Sequence, residues 1–178
     1  MKRIALIIGL VFLGVGQVHA EKGEHYYLGN VGYMFKEISE SPDPLMVLAF
    51  TYGYGINSNW ALEMDYMQSI SGGGYKTSGT PEAEGEYSLW AFTGNVAYRH
   101  LFKEVFYFKG KLGFTYGEDK LTSSLVGDDK KELTALSAAG GVGYLAGDIL
   151  GSSLTLELMI TKPSGDLTGI MVGANATF

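Results

Sequence analysis

Large apolar residues and small or polar residues alternate with a period of two along most of the chain. From Met46 to Ile56, large apolar residues occupy every second position and smaller residues lie between them. The alternation resumes at Trp60, after the turn-forming run Asn57-Ser58-Asn59. Because successive side chains of a strand point to opposite faces, the pattern predicts a β-hairpin with two unlike faces.

The same period-two pattern predicts eight strands in a single domain. They are expected at residues 26–37, 45–56, 60–69, 87–102, 105–116, 133–146, 153–161 and 168–178. Short connections at 57–59, 103–104 and 147–152 alternate with mostly longer, more polar ones at 38–44, 70–86, 117–132 and 162–167. This alternation is typical of strands that run up and down through a membrane, with short periplasmic turns and longer outer loops. The predicted fold is all-β, an eight-stranded antiparallel up-and-down transmembrane β-barrel with both termini on the periplasmic side.

The two faces of the predicted strands differ in bulk and polarity. One face is large and apolar: Phe50, Leu62, Phe92, Phe108, Leu112, Val142, Leu156, Leu158, Ile170 and Val172. The other is small or polar: Asn30, Glu63, Asp65, Thr93, Asn95, Arg99, Lys109, Lys111, Glu157, Asn175 and Thr177. The interior of an eight-stranded barrel is too narrow for the large set, so that set is predicted to face outward. An apolar surface on every strand would make a soluble protein aggregate, so the surrounding solvent is predicted to be lipid.

Aromatic residues are sorted by height along the predicted strands. One group falls near the short turns: Tyr27, Tyr54, Trp60, Tyr98, Phe102, Phe106 and Tyr144. A second group falls near the long connections: Phe35, Tyr66, Trp90, Phe114 and Tyr116. Membrane barrels carry aromatic girdles at both interfaces, whereas strand propensity alone would not sort aromatics by height.

The chain ends on Phe178, with Ile170 and Val172 on the same predicted face. This ending resembles the last strand of bacterial outer-membrane proteins, although Ala174 and Ala176 replace residues that are often larger. Together with the eight strands, residues 21–178 resemble the small OmpA/OmpX-like outer-membrane β-barrel family. The resemblance implies a barrel-only protein of the bacterial cell outer membrane, in contact with membrane lipid and lipopolysaccharide. It also implies that Phe178 is an assembly signal for the barrel-assembly machinery.

The first twenty residues have the character of an export signal. Lys2 and Arg3 precede an apolar run at 4–15, and Val18 and Ala20 are small residues at the positions read by signal peptidase. The run is shorter than the roughly 20 apolar residues that a membrane-spanning helix needs. Residues 1–20 are therefore predicted to be a cleaved signal peptide.

Composition excludes several other classes of protein. The chain has no cysteine, which rules out disulfides, zinc–thiolate sites and a cysteine nucleophile. Its net charge of −6 would repel the phosphates of nucleic acid, so nucleic-acid binding is not expected. Its 26 glycines and 21 tyrosines and phenylalanines are unlike a helical protein and favour strands.

The residues do not form a recognisable catalytic or metal-binding set. His25 precedes the first predicted strand, and His100 lies in Arg99-His100-Leu101-Phe102 with no serine nearby. Barrel enzymes that modify lipid A need a nucleophile or a polarised serine beside a histidine near the outer leaflet, and His100 falls at the opposite end. Metal-ligand spacings are missing, and Gly72-Gly73-Gly74 lacks the lysine of a phosphate loop. No catalytic, cofactor-binding or metal residue is predicted.

Six charged residues share the inward parity and fall at similar heights: Glu63, Asp65, Glu157, Arg99, Lys109 and Lys111. Unpaired charge in a narrow, poorly hydrated lumen is costly, so we expect a salt-bridge network in which Arg99 bridges to Glu63 or Asp65 at the centre. The alternative is that these residues are solvated in a small water-filled cavity.

These features favour an integral outer-membrane protein with a structural or adhesion-like role and no catalysis. The outer loops are the expected contact sites for a host, phage or surface ligand. A narrow pore or small-solute carrier is the alternative, and a lipid A-modifying enzyme is less well supported.

Overall fold

The structure, a computed structural model, describes residues 22–36, 43–77, 83–102, 105–123, 127–149 and 152–177. It contains β1 (His25–Lys36), β2 (Leu45–Gly55), β3 (Trp60–Ser69), β4 (Gly73–Thr77), β5 (Ala83–Phe102), β6 (Phe106–Ser123), β7 (Gly127–Ile149), β8 (Ser152–Ser164) and β9 (Leu167–Thr177). Within these ranges no helix is long and apolar enough to cross a membrane. The predicted signal peptide and Phe178 lie outside the described residues.

The strands close into an antiparallel barrel in which chain neighbours pair with each other. The first and last strands of the chain, β1 and β9, pair with each other, and Tyr33 lies opposite Ile170. The pairing of β3 with β5, in which Tyr66 lies opposite Phe92, closes the ring. Both β3 and β4 pair with β5, so β4 continues the wall position of β3 beyond a bend at 70–72. The nine segments therefore form eight wall positions, as the sequence predicts.

Strands β5, β6 and β7 are longer than predicted and continue into the expected loops at 70–86 and 117–132, and β8 also extends beyond its predicted end at 161. Polar, charged residues there favoured a loop, but a strand ladder in water needs no apolar face. Diagonal ion pairs support it: Lys120 Nζ lies 2.5 Å from Asp128 Oδ2, and Lys130 Nζ lies 3.1 Å from Glu118 Oε1. The prediction of a loop at 162–167 is also wrong. Ser164 pairs with Leu167, so only Gly165 and Asp166 form the turn between β8 and β9.

The first short turn shows how local sequence sets a connection. The Asn57 side-chain oxygen accepts hydrogen bonds from the backbone amides of Asn59 and Trp60, both at 2.9 Å. The Asn59 amide then donates to the carbonyl of Arg99 at 2.9 Å, which joins the turn to β5. An asparagine that mimics a backbone turn in this way fixes the register of the hairpin.

The barrel wall has the inside-out polarity that the sequence predicts. The predicted large apolar set is exposed on the outer surface, and Leu112, for example, is 71% exposed. The buried residues lie in the lumen, so the core of this fold is the filled interior of the barrel.

Candidate functional site

The lumen is filled by layers of different chemistry, described here from the short-turn end towards the long-hairpin end. The lowest layer is charged and aromatic: Tyr26, Glu63, Arg99, Tyr107, Lys109, Lys111 and Glu157. Above it lie polar residues, namely Asn30, Thr51, Asp65, Thr93, Asn95, Thr115 and Ser137. The uppermost layer is apolar: Met34, Leu45, Val47, Met67, Tyr87, Leu89, Leu133, Met159, Leu167 and Met171.

Two lysines on β6 hold the charged layer together. Lys109 Nζ lies 2.8 Å from Glu63 Oε1 and 3.3 Å from Glu157 Oε1, and its side chain is only 1% exposed. Lys111 Nζ lies 2.5 Å from Glu63 Oε2 and 3.1 Å from Asp65 Oδ1. The six residues singled out in the sequence, Arg99 among them, thus lie close together, and each lysine contacts two carboxylates.

The arrangement differs from the expected one at its centre. Lys109 lies between the two glutamates, whereas Arg99 caps the layer, with its guanidinium 3.9 Å from Glu157 Oε1. The Arg99 guanidinium carbon lies 4.8 Å from the ring centre of Tyr107 and 5.5 Å from that of Tyr26. A planar cation gains from stacking on aromatic faces, and the parity of β5 alone does not reveal those rings.

Tyr26 and Glu63 belong to a three-strand unit that sequence reasoning missed. Register places Tyr26 opposite Gly53 and Gly53 opposite Glu63, so the three residues lie side by side on β1, β2 and β3. The Tyr26 ring lies over Gly53, where a Cβ would overlap it, and its hydroxyl donates to Glu63. The glycine lets the ring lie flat on the wall and reach the carboxylate.

The same unit recurs on the other side of the barrel. Tyr107 on β6 lies over Gly143 on β7, and its hydroxyl donates to Glu157 Oε1 on β8 at 2.5 Å. Lys109 bridges the glutamates of the two units. The only sequence signal is a tyrosine, glycine and glutamate at matched heights, which requires the strand register to recognise.

Within the polar layer, the Asp65 carboxylate accepts hydrogen bonds from neighbours on two other strands. Its oxygens accept hydrogen bonds from Thr51 at 2.5 Å and from Asn95 at 2.7 Å. A cavity of about 40 Å³ lies beside it, between Lys111 and the methionines of the apolar layer. This space is large enough for a few water molecules and too small for an organic solute.

The apolar layer was not foreseen, because the sequence analysis predicted a small and polar interior. Methionines contribute much of it, and three lie against glycines of neighbouring strands: Met34 on Gly169, Met159 on Gly141 and Met171 on Gly32. Flexible thioethers fill an irregular gap that branched residues would not. The lumen is therefore closed by a charged layer below and an apolar layer above.

The outer mouth lies above this layer. Lys36, at the end of β1, donates to Asp119 on β6, and its Nζ lies 5.7 Å from the ring centre of Tyr87. Burial lowers the pKa of the Lys36 amine, although nearby Asp166 opposes the shift. Burial alone would raise the pKa of Asp166, but a hydrogen bond from Ser164 at 2.6 Å and the charge of Lys36 hold it below its usual value.

The outer wall carries aromatic contacts at two heights. Near the short turns, the ring centres of Trp60 and Tyr98 are 4.9 Å apart. Near the long hairpins, those of Tyr66 and Phe92 are 4.8 Å apart, and Trp90 lies 6.1 Å from Tyr116. The exposed apolar wall lies between these two levels.

The two histidines of the described chain lie at the short-turn end. His25 Nδ1 lies 2.6 Å from the Tyr52 hydroxyl, on the outer surface. His100 is also exposed on the outward face of β5. Among the described residues, no group of three or more histidines and acids has a geometry that would hold a metal ion.

A closed antiparallel barrel with an apolar outer wall, aromatics at two heights and a filled interior defines an integral membrane β-barrel. The sequence profile of the outer membrane protein beta-barrel domain matches residues 5–178, and the chain belongs to this family. The protein is therefore a small eight-stranded barrel of the bacterial outer membrane, of the OmpA/OmpX-like type, as the sequence predicts.

Solved structures of similar fold support this assignment. Neisserial surface protein A superposes with a TM-score of 0.64 at 13% identity, over 86% of this chain and 97% of that chain. Ail of Yersinia pestis superposes with a TM-score of 0.58 at 17% identity, over 88% of this chain and 99% of that chain. OprG of Pseudomonas aeruginosa superposes with a TM-score of 0.58 at 12% identity, over 91% of this chain and 99% of that chain. No curated protein sequence matches the chain. At these identities the likeness concerns the fold.

Proposed function

We propose that the protein is a non-catalytic surface protein whose barrel anchors an outer sheet that contacts an external ligand or surface. The observation that carries the proposal is the extension of β5, β6 and β7 beyond the outer aromatics. Tyr116 pairs with Thr134, and the β6–β7 ladder continues from there to Ser123 and Gly127. A membrane anchor alone does not require such an extension, whereas an extension holds side chains beyond the membrane, where an external partner reaches them.

The filled lumen favours this role over that of a pore or carrier. The lysine–carboxylate contacts of the charged layer and the methionine-rich layer above it occupy the narrow interior. The cavity between them is too small for an organic solute.

The outer β6–β7 hairpin also suggests the chemistry of its partner. Residues 117–132 contain five acids and three lysines, but Asp119 is buried against Lys36. The other charged residues are four acids and three lysines, an excess of one acid: Glu118, Asp128, Asp129 and Glu132 against Lys120, Lys130 and Lys131. Ail has been solved with the heparin analogue sucrose octasulfate, an anionic ligand. The acidic hairpin here favours a partner of the opposite sign, either a cationic surface or one bridged by divalent cations.

A charge-neutralisation experiment tests the proposal. The acid variant converts Glu118 and Glu132 to Gln and Asp128 and Asp129 to Asn; the control converts Lys120, Lys130 and Lys131 to Gln. Proteoliposomes carrying each protein are tested for adhesion to cationic and to heparin-coated beads. We expect the acid variant to lose adhesion to cationic beads and the lysine variant to keep it. Adhesion that neither variant changes would refute a contact role for this hairpin.

The proposal also covers export of the chain, the position of its two termini and the assembly of the barrel. We infer that residues 1–20 are removed on export, that both termini are periplasmic and that Phe178 serves barrel assembly. Support comes from the charged and apolar pattern of the first residues and the even number of wall positions. Protease accessibility of tags placed at residue 21 and in the β6–β7 hairpin of intact cells tests the orientation.

A further inference from the structure

The outer mouth contains an ion pair that crosses the whole barrel. Lys36 ends β1 and contacts Asp119 on β6. These strands lie four wall positions apart in either direction around the barrel. The contact therefore spans the lumen, whereas a pair between adjacent strands would only stabilise their local ladder.

The surroundings of the Lys36 ammonium form an acidic and aromatic cage. Asp119 accepts its hydrogen bond, and the Tyr87 ring lies 5.7 Å from Nζ. Lys36 pairs in register with Leu167, which places Asp166 of the β8–β9 turn beside it. A carboxylate and the face of an aromatic ring are the groups that bind ammonium ions in proteins.

Asp119 has binding capacity that Lys36 does not use. The residue is only 5% exposed, and its Oδ1 is buried with no hydrogen-bond partner among the described residues. A buried carboxylate oxygen in this state is costly unless a donor reaches it. Lys131 lies opposite Asp119 on β7, and its charge acts on both Lys36 and Asp166, but its side chain is exposed to solvent.

We propose that the cage of Asp119, Asp166 and Tyr87 is a binding site for a primary ammonium group, which the chain's own Lys36 occupies as a latch across the outer mouth. The Lys36 ammonium neutralises the buried carboxylate of Asp119 and so stabilises the outer β6–β7 ladder around it. A ligand that carries a primary amine takes the place of this ammonium and neutralises Asp119 instead, so that Lys36 and the end of β1 are released while the ladder stays intact. The site is independent of the surface contact proposed above, because it faces the lumen.

Chemical rescue tests this inference in the intact, detergent-solubilised barrel. Lys36→Ala removes three methylenes and the ammonium, and propylammonium replaces them. We expect amide exchange in residues 117–123 and 127–133 to become about tenfold faster in Lys36→Ala. Propylammonium should restore slow exchange, whereas tetramethylammonium, which has no N–H donor, should not.

Two controls make the result specific. Lys130→Ala removes an exposed lysine from the same hairpin and should change exchange less than twofold. Lys36→Ala combined with Asp119→Asn should be as fast as the single variant but insensitive to propylammonium. Should Lys36→Ala fail to fold, Lys36→Met keeps an apolar stem that reaches the position of Cε and is tested with ammonium. Equal exchange in the Lys36 and Lys130 variants, or an equal amine effect with and without Asp119, would overturn the proposal.

Discussion

At the scale of single residues, a few lumenal side chains determine how the interior is closed. Lys109 neutralises two glutamates from one position, and a tyrosine that lies over a glycine fixes each glutamate. Buried charge is tolerated here because its hydrogen-bonding capacity is nearly filled.

Removal of Lys109 should therefore be costly. We expect Lys109→Met to lower the free energy of unfolding by about 3–5 kcal/mol, because Glu157 and Glu63 lose a shared partner. Adding Glu157→Gln should recover part of that loss. The measurement is urea unfolding in lipid vesicles, followed by the gel shift between folded and unfolded barrel. Lys130→Met, at a lysine whose side chain is 60% exposed, should cost no more than about 1 kcal/mol. Equal midpoints for Lys109→Met and the parent would indicate a hydrated lumen instead of a network.

The glycines beneath the tyrosines provide a second residue-scale prediction. A Cβ at Gly143 would overlap the Tyr107 ring, so Gly143→Ala should destabilise the barrel by about 1–3 kcal/mol. Gly110 faces open space on the outer wall, and Gly110→Ala should be neutral or slightly stabilising. The same unfolding measurement compares them, and a cost that is equal at both sites would contradict the role assigned to Gly143.

At the scale of elements, the membrane-spanning and outer parts of the long strands depend on different interactions. Below Tyr116 and Thr134, apolar side chains face lipid and the lumen side is packed. Above them, the β6–β7 ladder is supported by ion pairs such as Lys120 with Asp128. Exposed pairs contribute little stability, so the outer hairpin is not needed to hold the barrel together.

Trimming the hairpin tests this separation. Replacing residues 120–130 with Asn-Gly joins Asp119 to Lys131, which already pair with each other, and keeps the contact of Asp119 with Lys36. We expect the trimmed protein to migrate differently with and without boiling on gels, as a folded barrel does, with an unfolding midpoint close to that of the parent. Loss of the fast-migrating folded form would mean that the outer ladder contributes to folding of the barrel.

At the scale of the whole molecule, closure and filling determine permeability. Eight wall positions leave a narrow interior, and the charged and apolar layers occupy it at two heights. A continuous water path would have to cross both layers.

We therefore expect no stable conductance of porin size in planar bilayers. Single variants in one layer, such as Lys109→Met, should leave this unchanged because the apolar layer still closes the lumen. Current recordings of the parent and of Lys109→Met check both statements, and steady open channels in the parent would contradict the closed interior.

The sequence by itself determined the strand pattern, the closed-barrel fold and the side of the wall that faces lipid. These follow from local rules, since alternation has a period of two and an eight-stranded interior excludes large residues. The inward parity of six charged residues and their similar predicted heights also placed them in one set: Glu63, Asp65, Glu157, Arg99, Lys109 and Lys111. The sequence did not reveal the strand character of the outer segments, because charged ladders in water lack an apolar face.

Only the tertiary structure decided which charges touch and what lies above them. Lys109 is central, and Arg99 caps the layer, because Tyr26 and Tyr107 reach across glycines on neighbouring strands. The methionine-rich layer and the Lys36–Asp119 contact likewise join residues far apart in the chain. Such contacts depend on the register between strands and on the distance across the lumen, and neither quantity is encoded in the alternation of a single strand.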